Sequence, residues 1–169
     1  MRLTKNISYI FLIFFISSSI AHGNIKIADK FKNWESHFKQ DGENLVCFAI
    51  SMPIKKEPGN LNRAESRMFV TFRTKANIRD EISVTSGYPY KKDEKVNVTV
   101  NDNNFVFESS ENFAWLTSKD QEIKIINLMK KKNDAKVIGI SARGNKTTDT
   151  YSLLGFTDAY NSAKNKCKK

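Results

Sequence analysis

Between Val137 and Phe156 the chain reads VIGISARGNKTTDTYSLLGF, and a β-hairpin is what this pattern accommodates best. Val137, Ile138 and Ile140 form a β-branched apolar run, the composition of a strand packed against a core. Arg143, Gly144 and Asn145 interrupt it with turn chemistry, and Lys146, Thr147, Thr148 and Asp149 keep the tip polar. Thr150 to Leu153 alternate as a returning strand, and Gly155-Phe156 hands over to a final helix.

The same period-two pattern recurs upstream. LVCFAISM at Leu45–Met52 is a strand ended by Pro53, and Arg67–Arg73 sets Met68, Val70 and Phe72 against Phe69 and Thr71. Ile82 and Val84 mark a further strand that stops at Gly87-Tyr88-Pro89-Tyr90. Val96, Val98 and Val100 alternate strictly with polar residues, turn at Asn101–Asn104, and return through Phe105–Phe107. Phe31–Phe38 fits helix and strand spacing alike and is read as a strand. Asn24–Lys30 reads as a loose lead-in, and Ile54–Ser66 as the main surface loop. Ser118 and Gln121 form a capping-box pattern that opens a helix carrying Ile125, Ile126 and Met129, with Lys130, Lys131 and Lys132 suiting its C-terminal dipole. A last short helix begins at Thr157 or Ser162 and ends at Cys167. About seven to nine short strands with two short helices predict an all-β sandwich decorated by helices.

Residues 1–23 are expected to be a signal peptide, leaving residues 24–169 as a single domain. Arg2 and Lys5 precede the apolar run YIFLIFFI, too short to span a bilayer comfortably, and Ala21-His22-Gly23 offers small residues for cleavage after Gly23. Cleavage after Ala21 also fits, and an uncleaved anchor is the alternative. The remainder holds 26 basic and 18 acidic side chains, a net of +8. In an exported protein such charge suits anionic envelope surfaces or simple solubility, and argues against nucleic acid as a partner. Export also makes Cys47–Cys167 a disulfide by default. Two cysteines alone make a poor zinc site, so no metal is expected.

CFAISMP at Cys47–Pro53, FVTFRTKANIRDEISVTSGYPY at Phe69–Tyr90, AWL at Ala114–Leu116 and SARGNKTTDTYSLLGF at Ser141–Phe156 together resemble the invasion-associated locus B (IalB) proteins of Gram-negative bacteria. The order and spacing of these segments are similar over nearly all of the chain after its leader. The resemblance implies an exported immunoglobulin-like β-sandwich, in a family with members linked to host-cell invasion, and brings no catalytic residues with it. Some relatives carry an additional Cys after the first tryptophan. Here that stretch is Trp34-Glu35-Ser36-His37-Phe38, which leaves only the Cys47–Cys167 bridge.

Enzymatic chemistry finds little support. After processing, His37 is the sole histidine, so a Ser–His–Asp set would have to use it. Gly139-Ile140-Ser141 lacks the second glycine of a nucleophile elbow. Asp80-Glu81 and Asp93-Glu94 are adjacent in extended chain and point opposite ways. Recognition features remain. Arg143, Gly144, Lys146 and Thr147 form a candidate anion-binding tip, with Arg143 pairing to Asp149 as the structural alternative. Tyr88 and Tyr90 offer an aromatic contact surface or, alternatively, cap the end of the sandwich. Arg73 and Arg79 flank a strand connection as structural ion-pair partners. The reading is a non-enzymatic, periplasmic or secreted, envelope-associated binding module without cofactors. Its expected partner is an anionic envelope component or another envelope or host protein, with peripheral membrane contact. The alternative is a periplasmic hydrolase using His37 or carboxylates.

Overall fold

Val96, Val98 and Val100 are buried while Asn97 and Thr99 between them are not, and this rule of alternate burial builds most of the protein. A computed structural model describes residues 24–76 and 78–168; the expected leader, residues 1–23, lies outside the described residues. The strands are β1 (Lys26–Phe31), β2 (Trp34–Asp41), β3 (Asn44–Ser51), β4 (Lys55–Glu57), β5 (Arg67–Arg73), β6 (Ile78–Thr85), β7 (Val96–Val100), β8 (Asn103–Ser110), β9 (Phe113–Trp115), β10 (Asp134–Ile140) and β11 (Lys146–Ser152). Helix α1 (Lys119–Met129) precedes β10, and α2 (Phe156–Lys166) follows β11. All pairings are antiparallel, in the order β1-β2-β3-β5-β6-β9-β8-β7-β10-β11-β4.

The ladder bends back at β8, whose first half pairs with β7 and whose second half pairs with β9. The result is sandwich-like. Met68, Val70, Ile82 and Val84 of one layer and Val98, Phe105, Phe107, Val137 and Tyr151 of the other belong to one buried cluster. Helix α2 closes this core beside β2 and β3. The Trp34 ring packs 4.8 Å from that of Phe156, and its indole Nε1 donates a 2.9 Å hydrogen bond to the carbonyl oxygen of Ser152. A fully buried indole with its one donor satisfied is a core anchor, worth about 3–5 kcal/mol against truncation. The Cys47–Cys167 disulfide, with Cα atoms 5.9 Å apart, fastens the end of α2 to β3.

The all-β architecture with two helices is as expected from the sequence, with eleven strands in place of seven to nine. β1 forms from the supposed lead-in, and β4 lies within the supposed surface loop. The strand expected over Phe31–Phe38 is instead interrupted at Lys32-Asn33, where Lys32 adopts φ 53° and the chain reverses between β1 and β2. Ser118 is the N-cap of α1, but its side chain makes no capping hydrogen bond. Lys130 follows α1 and places its ammonium 3.9 Å from the centroid of the Tyr160 ring, a cation–π contact. Helix α2 starts at Phe156, before Thr157, because Gly155 turns the chain with φ 89°. A Cβ at that position would sit 2.0 Å from the Phe31 carbonyl oxygen.

Candidate functional site

Three segments distant in sequence meet at one end of the sandwich: residues 60–64, the turn at 87–89, and the β10–β11 hairpin tip at 141–145. Between them lies a cleft of about 630 Å³. The tip is held by its own backbone. Gly144 N–H donates to the Ser141 carbonyl (2.7 Å), Ser141 N–H to the Asn145 carbonyl (2.9 Å), and Ala142 N–H to the Pro89 carbonyl (2.8 Å). The facing wall is pinned where Ala64 N–H donates to the Gly87 carbonyl at 3.0 Å. Gly87 has φ 77°, and a Cβ there would fall 2.1 Å from the Ala64 carbonyl oxygen, so this approach requires glycine.

Beneath the cleft, Arg63 reaches Asp149 with Nη1–Oδ2 2.8 Å and Nη2–Oδ1 2.5 Å. Nη1 also donates to Ser66 Oγ (3.0 Å) and the Ser86 carbonyl (2.9 Å). The two charged side chains are 5% and 0% exposed, so they neutralise each other out of water. Hydrogen bonding to Asp149 raises the already high pKa of Arg63. Asp149 sits on the inward face of β11 between Thr147 and Tyr151, which are buried with it. The alternative in which Asp149 pairs with Arg143 is therefore overturned: its carboxylate belongs to Arg63.

The tyrosines are structural in placement. Tyr90 is buried, its hydroxyl 2.9 Å from Ser86 Oγ, and its ring meets that of Tyr88 edge-on at 5.4 Å. The Tyr88 hydroxyl lies 2.5 Å from Thr147 Oγ1. Burial pushes both phenols upward, so both stay neutral hydrogen-bonding groups. The buried Tyr151 hydroxyl has no hydrogen-bond partner among the described residues.

Of the six residues singled out by sequence, Arg143 and Tyr88 line the cleft. Gly144 and Lys146 are exposed beside it, Thr147 is buried against Tyr88, and Tyr90 lies below. Arg63, Asn60 and Asn62 also line the cleft and gave no local signal, and Asn145, expected as a turn residue, lines it as well. Asp149, expected from the sequence to belong to a polar tip, lies instead at an inward position of β11, where a buried acid demands a partner, and that partner is Arg63.

His37 lies on β2, with Nε2 2.7 Å from Glu35 Oε2 and its ring 5.4 Å from that of Phe48. The paired carboxylates diverge: Asp80 accepts from the Tyr160 hydroxyl at 2.5 Å, while Glu81 holds Arg73 at 3.0 Å. Among the described residues no three His, Cys, Asp or Glu side chains gather in a metal-holding group.

Comparison with known proteins places this geometry in context. No curated protein matches the chain. The crystal structure of invasion associated protein B from Bartonella henselae is similar in fold, with a TM-score of 0.56 at 12% identity, covering 83% of this chain and 98% of that one. The family model for the invasion associated locus B (IalB) protein matches residues 36–164, from β2 through most of α2. With three quarters of its length matched, this chain belongs to the invasion associated locus B family.

Proposed function

We propose that the protein is an exported, non-enzymatic binding module of the cell envelope, periplasmic or secreted, which grips an anionic group at the hairpin-tip cleft. Residues 1–23 serve as its signal peptide, cleaved after Gly23. The observation that carries this reading is a division of labour between two arginines. Arg63 is neutralised in the floor by Asp149, whereas Arg143 stands exposed on the rim with Lys146 exposed close by in the chain. A fixed backbone around an exposed guanidinium favours carboxylate or phosphate, because the donors are already in position when the anion arrives. The net charge of +8 over residues 24–169 supports an anionic envelope component or an acidic patch on another envelope or host protein.

The absence of catalysis is supported by the placement of His37. Its Nε2 is engaged by Glu35, and it borders a different depression from the cleft.

Pull-down from envelope fractions with the wild-type protein and with Arg143→Ala/Lys146→Ala tests the reading. Loss of a specific partner in the double variant is the expected result; equal recovery of every partner removes the tip from consideration. Inorganic phosphate, titrated by NMR, is expected to shift the amides of Ala142–Asn145 in wild type and not in Arg143→Ala.

A further inference from the structure

Phe48, Ile50, Phe69 and Trp115 lie on the outward face of the β2-β3-β5-β6-β9 layer, where a solvated sheet would carry polar side chains. Ile50, Phe69, Ser83 and Trp115 stand opposite one another in a single row across four strands. Helix α2 covers the other side of the layer through Cys47, Phe72 and Trp34. Two adjoining depressions of about 570 and 530 Å³ run over the outward face and share Ile25, Phe48 and Phe69. Ile25, Met52, Ile54 and Phe113 border them at 60%, 52%, 60% and 49% exposure, half of the eight exposed large apolar side chains among the described residues. Scattered apolar residues are ordinary on a surface, but a contiguous group around a groove marks a contact face.

The charges on this face select the occupant. Lys32 stands at one end of the strands and Lys39 at the other, while Arg67 and Arg73 beside them are ion-paired with Glu65 and Glu81. Its acids are taken: Glu35 by Lys30 and His37, Glu81 by Arg73. A second copy docked by two-fold symmetry would set cation against cation at both ends, whichever way it was turned. An anionic bilayer meets both demands together, accepting apolar side chains below the headgroups and pairing cations with phosphates. The geometry points to this sheet face as a peripheral docking surface for bilayers containing anionic phospholipid. Met52, Ile54 and Phe113 enter the interface, and Lys32 and Lys39 contact headgroups. No helix among the described residues is long and apolar enough to cross a membrane. It is separate from the hairpin-tip cleft and does not depend on what that cleft binds.

Vesicles of phosphatidylcholine with about a third phosphatidylglycerol provide the test. The protein is purified after export, so any leader contribution is common to all variants. Wild type is expected to co-sediment with these vesicles and only weakly with pure phosphatidylcholine. Met52→Ser/Ile54→Ser/Phe113→Ser is expected to lower partitioning about tenfold or more. Lys32→Glu/Lys39→Glu is expected to lower it at low salt, with the difference fading as salt rises. Val106→Ser, an exposed apolar position on β8 where it pairs with β7 in the other layer, should match wild type. Trp34 is fully buried, so a blue shift in tryptophan emission on vesicle addition reports Trp115. Failure of wild type to bind, a triple variant that binds like wild type, or a dimer that the triple variant abolishes would each overturn the assignment. Arg143→Ala should leave vesicle binding intact; if it alone removes binding, the cleft makes the lipid contact and the sheet face does not.

Discussion

Arg63 and Asp149 lie 86 residues apart in the chain and share a bidentate ion pair that is almost wholly out of water. The pair joins the segment after β4 to the inward face of β11, and so fixes one wall of the cleft to the hairpin whose tip forms the other. A buried charge pair of this kind contributes position more surely than net stability, because desolvation offsets much of the attraction.

Removing one partner is a different matter from removing both. Arg63→Met or Asp149→Leu alone leaves the other charge buried and unpaired, and each is expected to cost about 3–5 kcal/mol in urea unfolding. The double variant Arg63→Met/Asp149→Leu should cost much less than the sum of the two. If the singles proved additive in the double, the two residues would not be acting as a pair.

The residues that were legible in the sequence are those whose neighbours reveal their environment. Val96–Val100 and Arg67–Arg73 show alternation because one face of each strand is buried in the core. β1 shows none, since only two of its six residues are even half-buried: it is an edge strand defined by hydrogen bonds to β2. β4 is three residues long with charged side chains at every position, so it is a strand only by virtue of β11 beside it. The disulfide could be read from cysteine count and expected compartment. Arg63 could not, because its environment is created by Asp149, Ser86 and Ser66 arriving from elsewhere in the fold. The cleft was half visible for the same reason: its tip is local in sequence, while its floor and opposite wall are not.

The disulfide sets the strength of the attachment between α2 and β3. It closes a loop with a sequence separation of 120, worth about 4–5 kcal/mol in the chain-entropy picture as an upper value. Cys47→Ala/Cys167→Ala, or reduction with dithiothreitol, is expected to lower the thermal midpoint markedly and to loosen α2 first. Hydrogen exchange should show amides of Ala159–Ala163 losing protection ahead of those in β10. Protection falling uniformly would mean that α2 is held by Trp34, Phe156 and Tyr160 packing alone.

Gly87 tests how closely the cleft depends on backbone contact. Gly87→Ala brings a methyl group against the Ala64 backbone and holds alanine at positive φ, so a loss of about 1–3 kcal/mol is expected. The 60–64 segment has to move away for the methyl to fit, and the cleft widens. NMR shifts in the variant should therefore concentrate at Asn60–Ala64 and the hairpin tip. A variant with wild-type stability and unshifted tip resonances would show that the close approach at Gly87 does not shape the cleft.

Glu122 should make stability depend on pH in the sense opposite to a well-paired surface acid. It is only 8% exposed on α1, and burial raises its pKa, with a partial offset from the Lys119 ammonium at 3.1 Å. The folded protein therefore holds this proton more tightly than the unfolded chain does. The stability from that preference is fully present below the unfolded pKa and is lost as pH rises through the folded one. Glu122→Gln cannot ionise, so its stability relative to wild type should be lower or equal at about pH 4 and should improve toward about pH 7. Urea midpoints at the two pH values read the change directly. Loss of the Lys119 contact shifts the variant's absolute stability a little, but that exposed lysine contributes weakly. The informative quantity is the change in the gap between the two proteins: a gap independent of pH would mean that Glu122 ionises as freely in the fold as out of it.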